Sequence, residues 1–281
     1  MKARSALITG CSSGIGKATA ERFHGRGWEV YATARDPADI EHLEDHGMET
    51  LEVDVTVDGD CERAVEAVVR DHGSIDCLVN NAGYGAMGAV EEVTPDELHR
   101  QMDVNVYGPH RLMREALPHM REQQHGTIVN MSSVSGRVST PGMGAYAASK
   151  HALEALSDAA RAEVSGSGVD VVLVEPGPVA TEFGDKVLGS LGGEIEGEPY
   201  ADVHRRLREF NEGLSGEGRS ALGRLTGLVT VSPERVATVI ADAAESPSPK
   251  ARYRVSLPHG ALGMTEHLPS KMRDGFYDLL I

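Results

Sequence analysis

The chain of 281 residues is short of positive charge, short of cysteine, and without a long apolar run. Lysine and arginine total 27 against 43 aspartates and glutamates, a formal net charge of −16. That balance argues against nucleic acid as a partner, because binding phosphate backbones needs clustered positive charge. Only six lysines occur: Lys2, Lys17, Lys150, Lys186, Lys250 and Lys271. Many carboxylates with so few lysines fit an adaptation to high salt. A mildly acidic protein from an arginine-favouring genome fits them as well. The three cysteines, Cys11, Cys61 and Cys77, are odd in number and lack metal-ligand spacing. Reduced thiols in a cytoplasm are expected, and no metal. No segment approaches the ~18 apolar residues of a membrane span. The apolar stretch after Met1 is too short for a signal peptide. A cytoplasmic location is the expectation.

Glycine and regular alternation are what the chain does have. Its 32 glycines and 40% hydrophobic residues suit an α/β protein. Residues 6–9 form a short apolar run that ends in Gly10. Gly10-Cys11-Ser12-Ser13-Gly14-Ile15-Gly16 follows, then a helical stretch over 17–26. Strand, glycine turn, helix is the setting of a phosphate-binding loop, where bare backbone and a helix N-terminus meet a pyrophosphate. The spacing is G-x-x-x-G-x-G, so a plain glycine-rich turn remains the alternative. A second strand over 28–34 ends at Ala34, with Arg35 next. In a dinucleotide fold that strand end faces the adenosine ribose, where an acid binds the 2′-hydroxyl and an arginine accommodates a 2′-phosphate. Asp36-Pro37 reads as a helix cap, which occupies the nearby acid. Arg35 therefore favours NADP(H) over NAD(H), a solvated surface arginine being the plain alternative.

Further strands are predicted at 49–53, 75–79, 127–131, 169–174 and 252–257. Helices are predicted at 58–72, from Thr94-Pro95 onward, at 145–164, 201–210 and 232–245, with a terminal helix in 263–281. Pro109 and Pro118 should kink or break the long helical region. Strands alternating with helices imply a doubly wound, mainly parallel sheet, one Rossmann-type domain over the whole chain. In the helix at 145–164, Leu153, Leu156, Ala160 and Val164 form the expected buried stripe.

That helix also carries Tyr146 and Lys150. At i and i+4 the phenol and the ammonium are neighbours. A nearby cation favours the phenolate and moves tyrosine from its usual pKa of ~10 toward neutrality. Such a pair can exchange a proton with an oxygen bound beside it.

Together these motifs resemble the short-chain dehydrogenase/reductase family. They are Thr9-Gly10-Cys11-Ser12-Ser13-Gly14-Ile15-Gly16, Asn80-Asn81-Ala82-Gly83, Ser133, Tyr146-Ala147-Ala148-Ser149-Lys150 and Pro176-Gly177. The resemblance implies an oxidoreductase that moves a hydride between a nicotinamide and a carbonyl or secondary alcohol. It implies Tyr146 as general acid/base, Lys150 as its partner and a ribose ligand, Ser133 on the substrate oxygen, and Asn105 in a proton relay through water. For the cofactor it implies Gly10, Ser12, Ser13, Gly14, Ile15 and Gly16, with Asp54 and Val55 at adenine. Asn81, Ala82 and Gly83 would line the adenosine side; Pro176, Gly177, Val179 and Thr181 would border the nicotinamide. Residues 182–230 would cover the substrate, with Val187, Leu188, Leu191, Leu207, Phe210 and Leu214 as an apolar wall. The stretch 232–255 is similar to the steroid- and retinol-dehydrogenase branch, which implies a hydrophobic substrate. A homodimer or homotetramer through the Tyr146 helix and the long helix before it is also implied. Two other classes stay in view: a silent NADP(H)-binding regulator, and an epimerase or dehydratase on a related fold.

Overall fold

The computed structural model describes residues 3–181, 199–214 and 230–255, with a few positions beyond. Seven parallel strands form one sheet in the order β3-β2-β1-β4-β5-β6-β7. In chain order they are β1 Ser5–Ile8, β2 Glu29–Ala34, β3 Glu49–Glu52, β4 Cys77–Asn80, β5 Gly126–Met131, β6 Val169–Pro176 and β7 Arg252–Val255. The helices between them are α1 Gly14–His24, α2 Glu41–Glu44, α3 Asp58–His72, α4 Pro95–Met102, α5 Gly108–Gln123, α6 Gly144–Glu163, α7 Ala201–Leu214 and α8 Pro233–Glu245.

The inner strands are buried on both faces and read as mostly apolar runs, while the edge strands β3 and β7 are partly exposed. Along β1, Ala6 and Ile8 pack on one face with α1 and α8, through Phe23, Val236 and Ile240. Leu7 points to the other face, toward α3 and α5, with Val65, Val68, Leu112 and Met120. β1 pairs with β2 on one side, Leu7 opposite Tyr31, and with β4 on the other, Leu7 opposite Leu78. The strand order therefore reverses between β1 and β4, and a crevice opens at their carboxyl ends, where such sheets bind ligands.

The predicted caps form. Thr94 and Glu97 make a reciprocal capping box at α4, and the Ser232 side chain accepts from the Arg235 N–H at α8. Asp36 accepts from Ala38 N–H at 3.0 Å and caps the 3-10 turn Pro37–Asp39. The proline-rich region differs from expectation. A π-helical turn, Asp103–Tyr107, joins α4 to α5, and Pro118 lies inside α5 without ending it. Pro109 falls in the first turn of α5, where a missing N–H does least harm. Leu156 is also unlike its prediction: it is 37% exposed, while Leu153, Ala160 and Val164 are buried. Three residues after Leu153, it points off the packed stripe. Of the predicted terminal helix only 271–272 are described as helical, with Met272 exposed, and Val187, Leu188 and Leu191 lie outside the described residues.

Candidate active site

A cavity of about 900 Å³ lies over the carboxyl ends of the strands. Its floor begins with the β1–α1 loop. Gly10 is left-handed, φ +73°, and a Cβ there would stand 2.9 Å from Ala82 Cα. Gly16 is packed more tightly still: a Cβ there would lie 2.0 Å from Gly10 O. Thr9 and Asn81 lock the loop against the end of β4. Asn81 Nδ2 donates to Thr9 O at 2.8 Å and Gly10 O at 3.1 Å. Thr9 Oγ1 accepts from the N–H groups of Asn81, at 3.0 Å, and Ala82, at 2.9 Å. Bare backbone is thus held open at the N-terminus of α1, the cradle that a pyrophosphate requires.

Arg35 lies exposed on the cavity rim and makes no hydrogen bond or ion pair among the described residues. Asp54 lines the cavity; its Oδ1 accepts from Thr56 N–H and Oγ1 at 2.9 and 2.8 Å. Ser12, Ser13, Gly14, Ile15, Val55, Ala82, Gly83, Pro176, Gly177, Val179 and Thr181 also reach the wall. The residues present fit a dinucleotide: a glycine cradle after β1, a cation after β2 and an acid after β3.

Ser133, Tyr146 and Lys150 converge on the same cavity. Ser133 stands just after β5, its Oγ accepting from Ser135 N–H at 3.1 Å. Lys150 is buried, and its Nζ donates to Met131 O at 2.8 Å. The same Nζ lies 5.6 Å from the centroid of the Tyr146 ring, so the pair meets as its spacing predicts. Their electrostatics depart from expectation. Burial pushes the Tyr146 phenol up to about 12, opposed by a hydrogen bond from Ser133. Burial pushes Lys150 down to about 8, opposed by the Glu154 carboxylate. Burial is the largest effect on both groups.

Two of the predicted site residues do not reach the cavity wall. Gly16 packs behind it, against Gly10 and Asn81. Asn105, inside the π turn, is buried: its Oδ1 accepts from Tyr84 N–H at 2.8 Å, and its Nδ2 donates to Tyr84 O and Ser149 Oγ at 2.9 and 3.2 Å. The Asn105 side chain therefore positions the loop after β4, together with Gln101, which bonds Tyr84, Ala86 and Ser149. A π bulge at such a place is a frequent mark of a functional site.

Sequence reasoning missed the other end of the cavity. Tyr84, Met87, Val138 and Met143 line it, from loops without a motif. The expected Leu207, Phe210 and Leu214 join them from α7, with Asn211. α7 is seated by shape and by a hydrogen bond. Leu207 Cδ1 would be 2.8 Å from a Cβ on Gly142, and buried His204 bonds Glu92 Oε2 at 2.8 Å. Arg100 also lines the cavity, over the Tyr84 ring at 5.0 Å.

A seven-stranded parallel sheet, a glycine cradle at its switch point and a Ser-Tyr-Lys set beside it define an NAD(P)-dependent oxidoreductase acting on a C=O or CH–OH group. The comparisons agree. The chain belongs to the short-chain dehydrogenase/reductase family, whose short chain dehydrogenase profile matches residues 4–189. It is 40% identical over 214 residues to a 3-ketodihydrosphingosine reductase of Bacteroides thetaiotaomicron, covering 75% of this chain and 77% of that one. It is 33% identical over 262 residues to an NADPH-dependent 3-dehydrocapnine reductase of Ornithobacterium rhinotracheale, covering 90% and 88%. Among solved structures, a short-chain dehydrogenase from Streptomyces avermitilis superposes with a TM-score of 0.76 at 31% identity, covering 99% and 94%.

Proposed function

We propose that the protein is an NADPH-dependent reductase of a secondary ketone carried on an apolar chain, with Tyr146 as the proton donor. The observation that carries this reading is the convergence of Ser133, Tyr146 and Lys150 on the cavity that the glycine cradle opens into. Ser133 and Tyr146 present hydroxyl donors side by side, so a carbonyl oxygen placed between them is polarised and held. Tyr146 gives its proton to that oxygen as negative charge develops on it. A phenol held up to about 12 is protonated at neutral pH, the form a reduction needs. Lys150 keeps one N–H on Met131 O and aims the rest of its ammonium at the cavity, where ribose hydroxyls would be bound. Bound NADP(H) supplies the hydride. Arg35 supports the choice of phosphate-bearing cofactor, and Asp36, used as a cap, offers little repulsion to it.

The apolar wall of Met87, Val138, Met143, Leu207, Phe210 and Leu214 supports a hydrophobic substrate. The names of two relatives, which place a keto or dehydro group at position 3, narrow the hydrophobic substrate expected from 232–255 to a chain ketone. Pairing of subunits belongs to the proposal as well: Leu98, Tyr107 and Leu156 stand exposed on α4, the π turn and α6. The regulator reading has no support from the site, since both titratable partners are in place.

The test is NADPH oxidation by the purified protein against a panel of chain, aromatic and steroid ketones, with Tyr146→Phe beside it. Turnover should fall at least ~100-fold, the scale of general acid catalysis, while NADPH still binds. Near-normal turnover by Tyr146→Phe would remove the proposed role.

A further inference from the structure

Below the Tyr146–Lys150 pair, α6 carries two more ionisable groups at helical spacing, Glu154 and Asp158. Neither lines the cavity. Glu154 is only 5% exposed. At i and i+4, Lys150 and Glu154 are neighbours along one face of the helix. The end of β5 closes over both. Met131 O takes the Lys150 ammonium, and a Cβ on Gly136 would stand 2.6 Å from Ser132 Oγ and 3.3 Å from Glu154 Oε1.

The partners of Glu154 come from the far edge of the sheet. From β7, Arg252 Nε donates to Glu154 Oε2 at 3.1 Å and Arg252 Nη2 to Asp158 Oδ2 at 2.6 Å. Arg252 also pairs with Glu175 on β6 at 3.2 Å, and Arg254 with the other Glu175 oxygen at 3.0 Å. Arg137 lies 4.0 Å from Glu154, and Arg161 pairs with Asp158 at 2.7 Å. A buried ion-pair network of this kind is weak evidence for stability, because apolar residues of the same shape often do as well. Its position beside the lysine is more telling. Among the described residues, Lys150 meets the Tyr146 ring and the Met131 carbonyl, and the Glu154 carboxylate acts on it from one turn farther along α6.

We infer that Glu154 is a positioning residue for the reaction: its buried carboxylate, one helical turn beyond Lys150 and anchored by Arg252, holds Lys150 in the charged form beside Tyr146. The inference rests on the proposed roles of Tyr146 and Lys150. Burial draws the lysine toward neutrality, and the Glu154 charge acts the other way. Burial and the Glu175 charge likewise push Glu154 toward its neutral acid, and Arg252 and Ser132 oppose them. Arg252 thus favours the carboxylate, and the carboxylate favours the ammonium.

The test is the pH dependence of kcat/KM for ketone reduction, in wild type, Glu154→Gln and Asp158→Asn. Loss of the neighbouring carboxylate should move the alkaline limb of the profile down by about one pH unit in Glu154→Gln. Asp158→Asn breaks the same network a turn farther from Lys150, and its limb should stay with wild type. An unmoved limb in Glu154→Gln, or an equal move in both variants, would overturn the inference, the second outcome meaning a general loosening of the network. If Glu154→Gln does not fold, although Arg252 keeps Asp158 and Glu175, Glu154→Gln/Arg252→Gln is read the same way. Tyr146→Phe, run alongside, separates the failures. Retained turnover there would sink the catalytic reading itself, whereas its loss with an unmoved Glu154→Gln limb would sink only this inference.

Discussion

Gly16→Ala puts a methyl group where the structure has no room for one. The new Cβ would stand 2.0 Å from Gly10 O and 2.5 Å from Asn81 Nδ2. The first obstacle is backbone, and it cannot rotate away. Relief requires the β1–α1 loop to move by more than an ångström, against the Asn81 bonds that pin it to β4. Overpacking of this kind costs about 1–3 kcal/mol, and the helix gains only ~1 kcal/mol from alanine over glycine. The net is a loss of up to ~2 kcal/mol, which at ~2–4 °C per kcal/mol in a domain of this size lowers Tm by a few degrees. The larger effect falls on the cradle, whose displaced N–H groups should weaken NADPH binding at least tenfold. Gly59→Ala is the matched control, a glycine in the first turn of α3 whose Cβ would meet only Arg63 Nη1, at 3.3 Å. It should gain a few tenths of a kcal/mol and leave NADPH binding alone. Differential scanning fluorimetry and isothermal titration with NADPH read both variants. Equal Tm and equal affinity for Gly16→Ala and wild type would refute the steric argument.

Three further expectations follow from the site. Arg35→Ser should weaken NADPH by about 1–2 kcal/mol, the low end for a charge-assisted contact because Arg35 is exposed. The loss should shrink in high salt and leave NADH unchanged; equal weakening of both cofactors would count against a 2′-phosphate contact. Lys150, whose pKa is lowered to about 8 by burial, binds its proton less tightly folded than unfolded. Between about pH 8 and its ordinary value of ~10.4, the unfolded chain therefore holds more protons, and stability should rise with pH in wild type relative to Lys150→Met. Urea midpoints at pH 7.5 and 10 that differ equally in the two proteins would contradict this. His204→Ala removes the bond from α7 to Glu92. A net loss of ~1 kcal/mol should raise KM for a long-chain ketone about fivefold, with little change for a small ketone that never reaches α7.

The most legible parts of the sequence were those whose physics is local. The α3 prediction, 58–72, coincides with the observed helix, because its valines recur at helical period and Gly73 follows in the left-handed cap position, φ +68°. The caps at Asp36, Thr94 and Ser232 were readable for the same reason: each bond spans two or three residues. The α/β class followed from alternating elements, and most of the cavity's cofactor side from motifs that sit at strand ends. Leu156 shows where periodicity stops, since an apolar residue near the stripe can equally face outward.

What tertiary structure alone decided concerns residues far apart in the chain. Tyr146 and Lys150 were paired by spacing, but the direction of each pKa shift follows from burial in the fold, which for the phenol is upward. The resemblance implies a relay role for Asn105, and only the fold shows its side chain bound to Tyr84 and Ser149. Met87, Val138 and Met143 carry no motif and become part of one cavity wall with α7 only in the fold. Glu154 meets Arg252 because β7 lies beside β6 at the sheet edge. Backbone preference and capping act over a few residues, so the sequence by itself determined the elements, their order and the motifs at their ends. Desolvation and the partner of a buried charge depend on everything packed around a group, and only the folded chain supplies that.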